Sequence, residues 1–481
     1  MLPWTANEDS RLSFWLRVRE FAVPASMIET ATVRRRAGDW AGACAAAGVD
    51  VDLRLRPVAR THGRELAARI RADLRHLAPD LLRWHMPRIA PHGLLRPGLT
   101  IPLARYEVEG HHAPHPLHLV ARTAPAWADA GQRISLALWD GSRSGADARR
   151  HPHPRPNRRF RLDLHRHLWD ARRTDELRIR SGADRPPTGD DRPGSDPEPP
   201  AMVPRDRHCD VDRWAAEAEI LLHAEGRPAR TFAVRLGARQ RLLLDLVADS
   251  DGLGLPPVLR IAATPTDGSD SALPVLPDAA TWVLPDLELL RTGSIEVDRL
   301  HPLVASALVS DHAPAGPDRA VDGTRDGAPD HAPDRAGGTR LVECRGDLHR
   351  IGFVDGVLAA LDHDPAEIHR EELLAALTGT PLPCLRAIDM AHRQPDCLTG
   401  VRERLHHGDT AGALAVVEDL LGPDATMRGG ALRDALRAAA QRRITYGLFR
   451  AGLVGPGPDR IHPGGPRPRA HRSHPRHARD D

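Results

Sequence analysis

Two internal segments of this 481-residue chain contain too few apolar residues to build a packed core. Residues 181–207 are rich in Pro, Asp and Arg, and residues 310–339 repeat a Pro-Asp pair followed by Arg or His. Residues 455–481 are a third segment of this kind, rich in Pro, Arg and His. Because burial of apolar side chains offsets the entropy that a chain loses on ordering, we predict two disordered linkers and a disordered basic tail.

These segments leave three units that are long enough to fold: residues 1–180, 208–309 and 340–454. In the first unit, four apolar residues at helical spacing predict a helix: Leu66, Ile70, Leu74 and Leu77. Runs rich in apolar residues then predict three strands: Leu99–Val108, Leu117–Arg122 and Ile134–Trp139. We therefore expect the first unit to be helical at its start and β-rich toward its end.

The other two units also mix helices with strands. In the middle unit, a helix with Trp214 on its apolar face ends at Gly226, and two strands follow, near Thr231–Leu236 and Arg241–Val247. The third unit begins with three strands and continues with helices to Leu453; the strands are Arg340–Cys344, Leu348–Val354 and Val357–Leu361, with a hairpin turn at Asp355–Gly356. The predicted fold class is multidomain α+β, with antiparallel strands and hairpins, helical subdomains and a helical C-terminal unit.

One short pattern occurs twice. Gly38–Ala43 reads Gly-Asp-Trp-Ala-Gly-Ala, and Gly408–Ala413 reads Gly-Asp-Thr-Ala-Gly-Ala. Each copy lies between two apolar helical stretches, where glycine ends one helix and aspartate caps the next. The pattern predicts two helical hairpins. No regular period connects the copies, so a solenoid of repeats is not expected.

Composition excludes several chemistries. Lysine is absent, and all 67 residues counted as Lys or Arg are arginine. A lysine-containing phosphate-binding loop and a pyridoxal-phosphate Schiff base are therefore impossible, so we predict no nucleotide binding through such a loop. The formal net charge is only +2, which does not favour a nucleic-acid partner. We assign no cofactor from the sequence.

The cysteines and the apolar runs bear on location. Five cysteines are scattered without a C-x-x-C pair: Cys44, Cys209, Cys344, Cys384 and Cys397. This pattern favours reduced thiols over a disulfide framework. The first residues lack a basic and apolar leader, and no apolar run approaches the ~18 residues of a membrane span. We expect a cytoplasmic protein without a membrane partner.

Two stretches of the third unit carry a family resemblance, Arg350–Leu358 and Leu361–Ile368. Along them, the chain resembles uncharacterised proteins of high-GC actinomycetes. The resemblance implies a bacterial cytoplasmic protein, and it assigns no chemistry and no site residue.

The acidic and histidine-rich stretch Asp362–His369 has two interpretations. His363 and Glu367, four residues apart, could share a helix face as metal ligands together with Asp364. Alternatively, Asp364 caps a helix and Glu367 occupies its third position, as in a capping box. Helix capping already explains both Asp364 and Glu367, so we predict the capping role. We assign no catalytic residue and no metal ligand.

Two further groups are candidate ligand sets. The first is a histidine-rich region with Asn157 nearby, which has the donors of a metal or nuclease site: His111, His112, His115, His118, His151, His153, His165 and His167. The second is the pair Cys384 and Cys397, which brackets His392 and could form part of a thiolate site. Loop prolines around the histidines and the apolar neighbours of Cys384 favour structural roles for both.

These observations favour an intracellular adaptor that binds other proteins and has no catalytic activity. The helical hairpins of the third unit are the expected contact surface, since disordered linkers between compact units suit such a role. The alternative is a metal-dependent hydrolase or nuclease that uses the His and Asp clusters. Tightly bound metal would distinguish the two.

Proteolysis tests the linker predictions. An arginine-specific protease should cut the native chain first within 181–207, within 310–339 and after 455, because disordered backbone enters a protease cleft most easily. A lysine-specific protease should leave even the denatured chain whole. Mass spectrometry of the fragments gives the order of cleavage, and early cuts inside 211–225 or 348–361 would contradict the predicted map.

Overall fold

The computed structural model describes residues 7–107, 116–128, 132–141, 151, 153–184, 208–226, 230–237, 240–247, 257–262, 273–309, 340–344, 346–354, 357–379, 382–386, 388, 400–421 and 431–453. Residues 181–184 of the first predicted linker form a turn. The rest of that linker, the second linker, the predicted tail and the Asp355–Gly356 turn lie outside the described residues. The fold is multidomain α+β with several small antiparallel sheets, as predicted.

The N-terminal part begins with helices. They are α1 (Asn7–Arg17), α2 (Ala25–Arg36), α3 (Trp40–Ala46), α4 (Leu55–His62), α5 (Arg64–His76) and α6 (Pro79–His85), with a π-helical turn at Val18–Ala22. Its strands are β1 (Val49–Val51), β2 (Arg88–Ile89), β3 (Leu94–Leu95), β4 (Thr100–Tyr106), β5 (Leu117–Thr123) and β6 (Ile134–Trp139). The predicted apolar stripe of α5 is buried, and three predicted strands are confirmed as β4, β5 and β6.

The main sheet has the order β1-β6-β5-β4. The pairs β4–β5 and β5–β6 are antiparallel, whereas β1 runs parallel to β6, with Val49 opposite Ile134. Strand β1 was not predicted, because three residues are too few to show a periodicity. Three helices separate β1 from the other strands of the sheet, and this long connection allows the parallel orientation.

The middle part contains a second, smaller sheet with a helix packed on it. Its elements are α7 (Leu177–Arg180), α8 (Val211–Glu225), β7 (Thr231–Arg235), β8 (Arg241–Val247), β9 (Val258–Ile261), α9 (Asp278–Thr281), α10 (Pro285–Arg291) and α11 (Pro302–Leu308). Short 3-10 turns occur at Ala126–Ala128, Arg166–Leu168, Thr174–Glu176 and Val297–Arg299. Helix α8 packs on the antiparallel sheet β7-β8-β9 with Trp214 and Phe232 fully buried, and it ends at the left-handed Gly226 as predicted.

The largest core joins sequence-distant segments. Leu287 and Val304, from α10 and α11, belong to the same hydrophobic cluster as Trp84 of α6. Trp84 Nε1 donates a 2.7 Å hydrogen bond to Asp286, and His301 Nε2 lies 2.9 Å from Asp80. Residues 284–305, which the predicted map assigns to the middle unit, therefore pack with the core of the first unit. The division of the chain into three units stays a prediction.

The C-terminal part starts as the predicted meander. Its elements are β10 (Arg340–Cys344), β11 (Asp347–Val354), β12 (Val357–Ala360), α12 (Pro365–Thr378), α13 (Val401–His406), α14 (Thr410–Leu421) and α15 (Ala431–Ala451). Both strand pairs are antiparallel, with Arg340 opposite Ile351 and Ile351 opposite Ala360. Helices α13, α14 and α15 share a small core around Leu405 and Val417. No helix in the described residues is long and apolar enough to cross a membrane.

The two Gly-Asp turns have the same geometry. Asp39 Oδ1 accepts a 2.8 Å hydrogen bond from the Gly42 amide, and Asp409 Oδ1 accepts one of 2.9 Å from the Gly412 amide. Each aspartate thus caps the helix that follows it. A Cβ atom at Gly42 or Gly412 would overlap the capping carboxylate, which explains why glycine recurs three residues after the aspartate.

Arg83 of α6 is buried between three parts of the chain. Its guanidinium donates hydrogen bonds to the carbonyl oxygens of Ala22 at 2.8 Å, Gln132 at 2.5 Å and His407 at 3.2 Å. These oxygens belong to the π-helical turn, the loop before β6 and the end of α13. One side chain therefore connects the N-terminal helices, the main sheet and the C-terminal helices.

Substitution of Arg83 tests this connection. Arg83→Met keeps the aliphatic stem but leaves three buried carbonyl oxygens without their donor, so the free energy of unfolding should fall by at least about 3 kcal/mol. Urea denaturation followed by tryptophan fluorescence measures the change. The control is Arg173→Met, which removes a largely exposed ion pair with Glu176 and should cost no more than about 1 kcal/mol. Equal losses would contradict the central role of Arg83.

Candidate functional site

The structure separates the roles of His363, Asp364 and Glu367. Asp364 Oδ1 accepts a 2.8 Å hydrogen bond from the Ala366 amide, and α12 begins at Pro365. The carboxylate of Asp364 therefore caps the helix. The carboxylate of Glu367 lies 3.7 Å from His363 Nδ1, the other member of the predicted i, i+4 pair. Glu367 thus contacts His363, whereas Asp364 contacts the backbone of α12.

His363 lies beside two cysteines that are distant in sequence. Cys344 is the last residue of β10, His363 lies in the turn before α12, and Cys384 lies in a helical turn at 383–386. One possible ligand atom from each residue lies within 4.8 Å of the others. The Cys384 amide also donates to Cys344 Sγ at 3.4 Å. We call these three residues the Cys/His cluster.

The Cys/His cluster is closed to solvent. Cys344 is 1% exposed, Cys384 is 0% exposed, and the side chain of His363 is 7% exposed. Burial, followed by the hydrogen bond with Cys344, raises the pKa of Cys384 to about 12. A thiol with such a pKa is protonated at neutral pH, whereas a nucleophilic cysteine needs a lowered pKa. Cys384 is therefore a buried thiol and not a thiolate nucleophile.

Neighbouring residues hold the turn that carries His363. Its ring stacks on that of His349, with centroids 4.2 Å apart and an angle of 12° between the planes. Asp362 accepts hydrogen bonds from the Arg350 guanidinium at 2.8 Å and from the Arg350 amide at 2.6 Å. These bonds lower the pKa of Asp362 to about 2. The carboxylate of Asp362 is thus ionised and fixed to β11, and it positions the next residue, His363.

Sequence reasoning did not connect Cys344 with Cys384. It grouped Cys384 with His392 and Cys397, and these two lie outside the described residues. The predicted meander could have shown that Cys344 and His363 are neighbours, because antiparallel pairing of β10, β11 and β12 places both residues at the same end of the sheet. Cys384 follows after α12, and its return to the sheet depends on tertiary packing.

The histidine-rich region does not assemble into a common site where it is described. His111, His112 and His115 lie outside the described residues. His118 packs against Trp139, and His151 Nε2 lies 3.0 Å from the carbonyl oxygen of Thr123. His165 Nε2 lies 3.2 Å from a carboxylate oxygen of Glu217, and Asn157 Oδ1 accepts from the Arg159 amide. Among the described residues, no three of these histidines bring ligand atoms within reach of one metal ion.

A cleft of about 990 Å³ lies between the N-terminal helices and the middle part. Aromatic residues, including Trp15 and Trp282, and several arginines form its walls. Four of its six arginines are paired with carboxylates: Arg11 with Glu288, Arg17 with Glu403, Arg159 with Asp278, and Arg161 with Asp163 and Glu225. The cleft therefore combines mainly apolar walls with arginines that are mostly paired.

Helix α12 exposes an apolar face near its C-terminus. Leu373 is 55% exposed, Leu374 is 47% exposed and Leu377 is 86% exposed. The spacing of three and four residues places Leu377 beside both Leu373 and Leu374 on the helix surface. Ile368, in the first half of the same helix, packs instead against the core that contains Cys344 and Cys384. Helix α12 therefore has one anchored region and one exposed apolar region.

No known protein family, curated protein or solved structure matches this chain. A functional conclusion consequently depends on the residues themselves. The described part of the chain offers two features for it: the buried Cys/His cluster and the exposed leucines of α12.

Substitutions at Asp364 test the capping role. Asp364→Ala removes the acceptor for the Ala366 amide and should lower the stability of α12 by about 0.5–2 kcal/mol, whereas Asp364→Ser and Asp364→Asn should largely restore it. Amide hydrogen exchange across residues 366–378 measures this stability. Glu372→Ala, an exposed change on the same helix, should stay within about 0.5 kcal/mol. A loss that Ser does not rescue would contradict a purely capping role.

Proposed function

We propose that this protein is a cytoplasmic adaptor without catalytic activity, which binds another protein through the exposed face of α12. The observation that carries the proposal is the exposure of Leu373, Leu374 and Leu377. Burying such leucines against a partner is favourable at about 25 cal/mol per Å² of apolar surface. In the free protein, the exposed part of these side chains gains no such burial.

The distribution of exposed apolar side chains supports this surface. Eight of the fourteen large hydrophobic side chains that are exposed in the described residues belong to residues 340–453. Single exposed hydrophobic residues are ordinary, but neighbouring ones such as Leu373, Leu374 and Leu377 of α12 are typical of a protein-binding surface. The sequence predicted the helical hairpins of the third unit as the contact surface; α12 belongs to the same unit but not to the Gly408–Asp409 hairpin, which α13 and α14 form.

The charges of α12 suggest the partner element. The helix carries three carboxylates, Glu367, Glu371 and Glu372, and one arginine, Arg370. An amphipathic helix with apolar residues on one face and basic residues on its flank complements this combination. We therefore propose such a helix from a partner protein as the occupant of the α12 face. The thiols of Cys44, Cys344 and Cys384, none of which forms a disulfide, agree with a reducing compartment.

The alternative, a metal-dependent hydrolase or nuclease, has less support from the geometry. Such a site needs a carboxylate or an imidazole that faces substrate beside the metal. Asp364 contacts the helix backbone, and the Cys/His cluster is buried beneath the meander. The adaptor proposal uses side chains that already face solvent.

Site-specific crosslinking tests the proposal. A benzophenone side chain at position 377 of the full chain should crosslink to a different polypeptide in cells, and the same probe at position 33, another exposed apolar position, should not. The partner identified in this way, once purified, should bind the full chain in calorimetry. The double variant Leu373→Ser, Leu377→Ser should weaken that binding at least about tenfold, since buried apolar anchors dominate interface energies.

The control is Val33→Ser, which removes an equally exposed apolar side chain from α2 and should leave the affinity unchanged. Neither change should alter the free energy of unfolding by more than about 0.5 kcal/mol, because these side chains are exposed. Crosslinking only to a second copy of this chain, or unchanged affinity in the double variant, would contradict the adaptor proposal.

A further inference from the structure

We infer that Cys344, His363 and Cys384 bind one Zn²⁺ ion through two sulfur atoms and one imidazole nitrogen. Ligands at about 2.3 Å for sulfur and about 2.0 Å for nitrogen lie about 3.5–3.8 Å apart in a tetrahedral site. The three ligand atoms already lie within 4.8 Å of one another. Small side-chain rotations therefore suffice to close the site. Because this cluster is buried, zinc bound here would not by itself favour the hydrolase or nuclease over the adaptor.

The orientation of His363 supports a metal on one particular nitrogen. Nδ1 of His363 faces the Glu367 carboxylate at 3.7 Å. Nε2 is buried and has no hydrogen-bond partner among the described residues. A buried polar atom without a partner is costly, and a carboxylate behind a histidine is the usual arrangement at metal-bound imidazoles. We assign Nε2 as the ligand atom and Glu367 as the residue that orients the ring.

The donor set selects the kind of metal. Two sulfurs and one imidazole favour zinc over magnesium or calcium, which prefer oxygen ligands. On binding, each cysteine loses its S–H proton to solvent and forms a Zn–S bond, and His363 Nε2 donates its lone pair. Two thiolates balance the two charges of Zn²⁺, so the occupied site has no net charge. A neutral site suits the low exposure of the surrounding residues.

Three protein ligands leave the fourth tetrahedral position of the ion to a water molecule. The ion itself would join the end of β10, the turn before α12 and the helical turn 383–386. The cysteines belong to a small hydrophobic core with Ile351, Ala360 and Leu382. A core of this size gains much of its stability from a crosslink, and structural zinc supplies one.

Metal titration of the full chain tests the inference. Protein stripped of metal with a chelator and reductant should take up one equivalent of added Zn²⁺, and Co²⁺ in its place should show thiolate-to-cobalt charge-transfer absorption. Cys344→Ser and Cys384→Ser should each lose this absorption. The matched control Cys209→Ser, at a half-buried cysteine of the middle part, should keep both stoichiometry and spectrum. No uptake by the reduced wild-type chain, or uptake without charge-transfer absorption, would overturn the inference.

A second pair of variants covers the case in which the cysteine variants fail to fold. Glu367→Gln leaves the three ligands intact and changes a partly exposed side chain, so it should fold and bind Zn²⁺ about 10–100-fold more weakly in competition with a chromophoric chelator. Glu372→Gln, whose carboxylate lies 4.0 Å from the exposed His369, should not change the affinity. Equal affinities of Glu367→Gln and wild type would overturn the inference. It would also be overturned if the purified chain contained a Cys344–Cys384 disulfide and still failed to bind zinc after that disulfide was reduced.

Discussion

The buried guanidinium of Arg83 is the interaction on which the arrangement of this chain depends most. It donates to backbone carbonyls from three separate regions, the last of them 324 residues away in sequence. Arginine suits this position because its planar fork offers five donors in fixed directions and keeps its charge when buried. Because the chain contains no lysine, only arginine and histidine can supply a basic side chain for such connections.

A second polar junction reinforces the first. Burial alone would raise the pKa of Asp50, but hydrogen bonds from Arg133 and Tyr446 and the nearby charge of Arg450 lower it. Tyr446 and Arg450 belong to α15, and Asp50 belongs to β1 of the main sheet. Phe449 of the same helix makes an edge-to-face contact with Trp127, with ring centroids 5.3 Å apart. Polar and aromatic contacts thus hold the C-terminal helix against the N-terminal part.

The two candidate features of the third unit both adjoin α12. His363 immediately precedes the cap of α12, Ile368 packs toward the Cys/His cluster, and Leu377 is exposed near the other end. A helix of this length is a stiff element of about 20 Å. Whatever fixes the turn at His363 therefore also fixes the direction in which the leucines face. The proposed zinc site and the proposed contact surface are mechanically connected through α12.

Local patterns of the sequence determined much of the fold. Apolar periodicity located α5 and α8, runs rich in apolar residues located β4, β5 and β6 of the main sheet, and the two Gly-Asp pairs located their helix caps. These signals are readable because each depends on residues within one or two turns of the chain. Tertiary packing decided the parallel pairing of β1, the joining of 284–305 to the first core, the partners of Arg83 and the meeting of Cys344 with Cys384. No local pattern encodes such contacts, since they arise only when distant surfaces become neighbours in the folded chain.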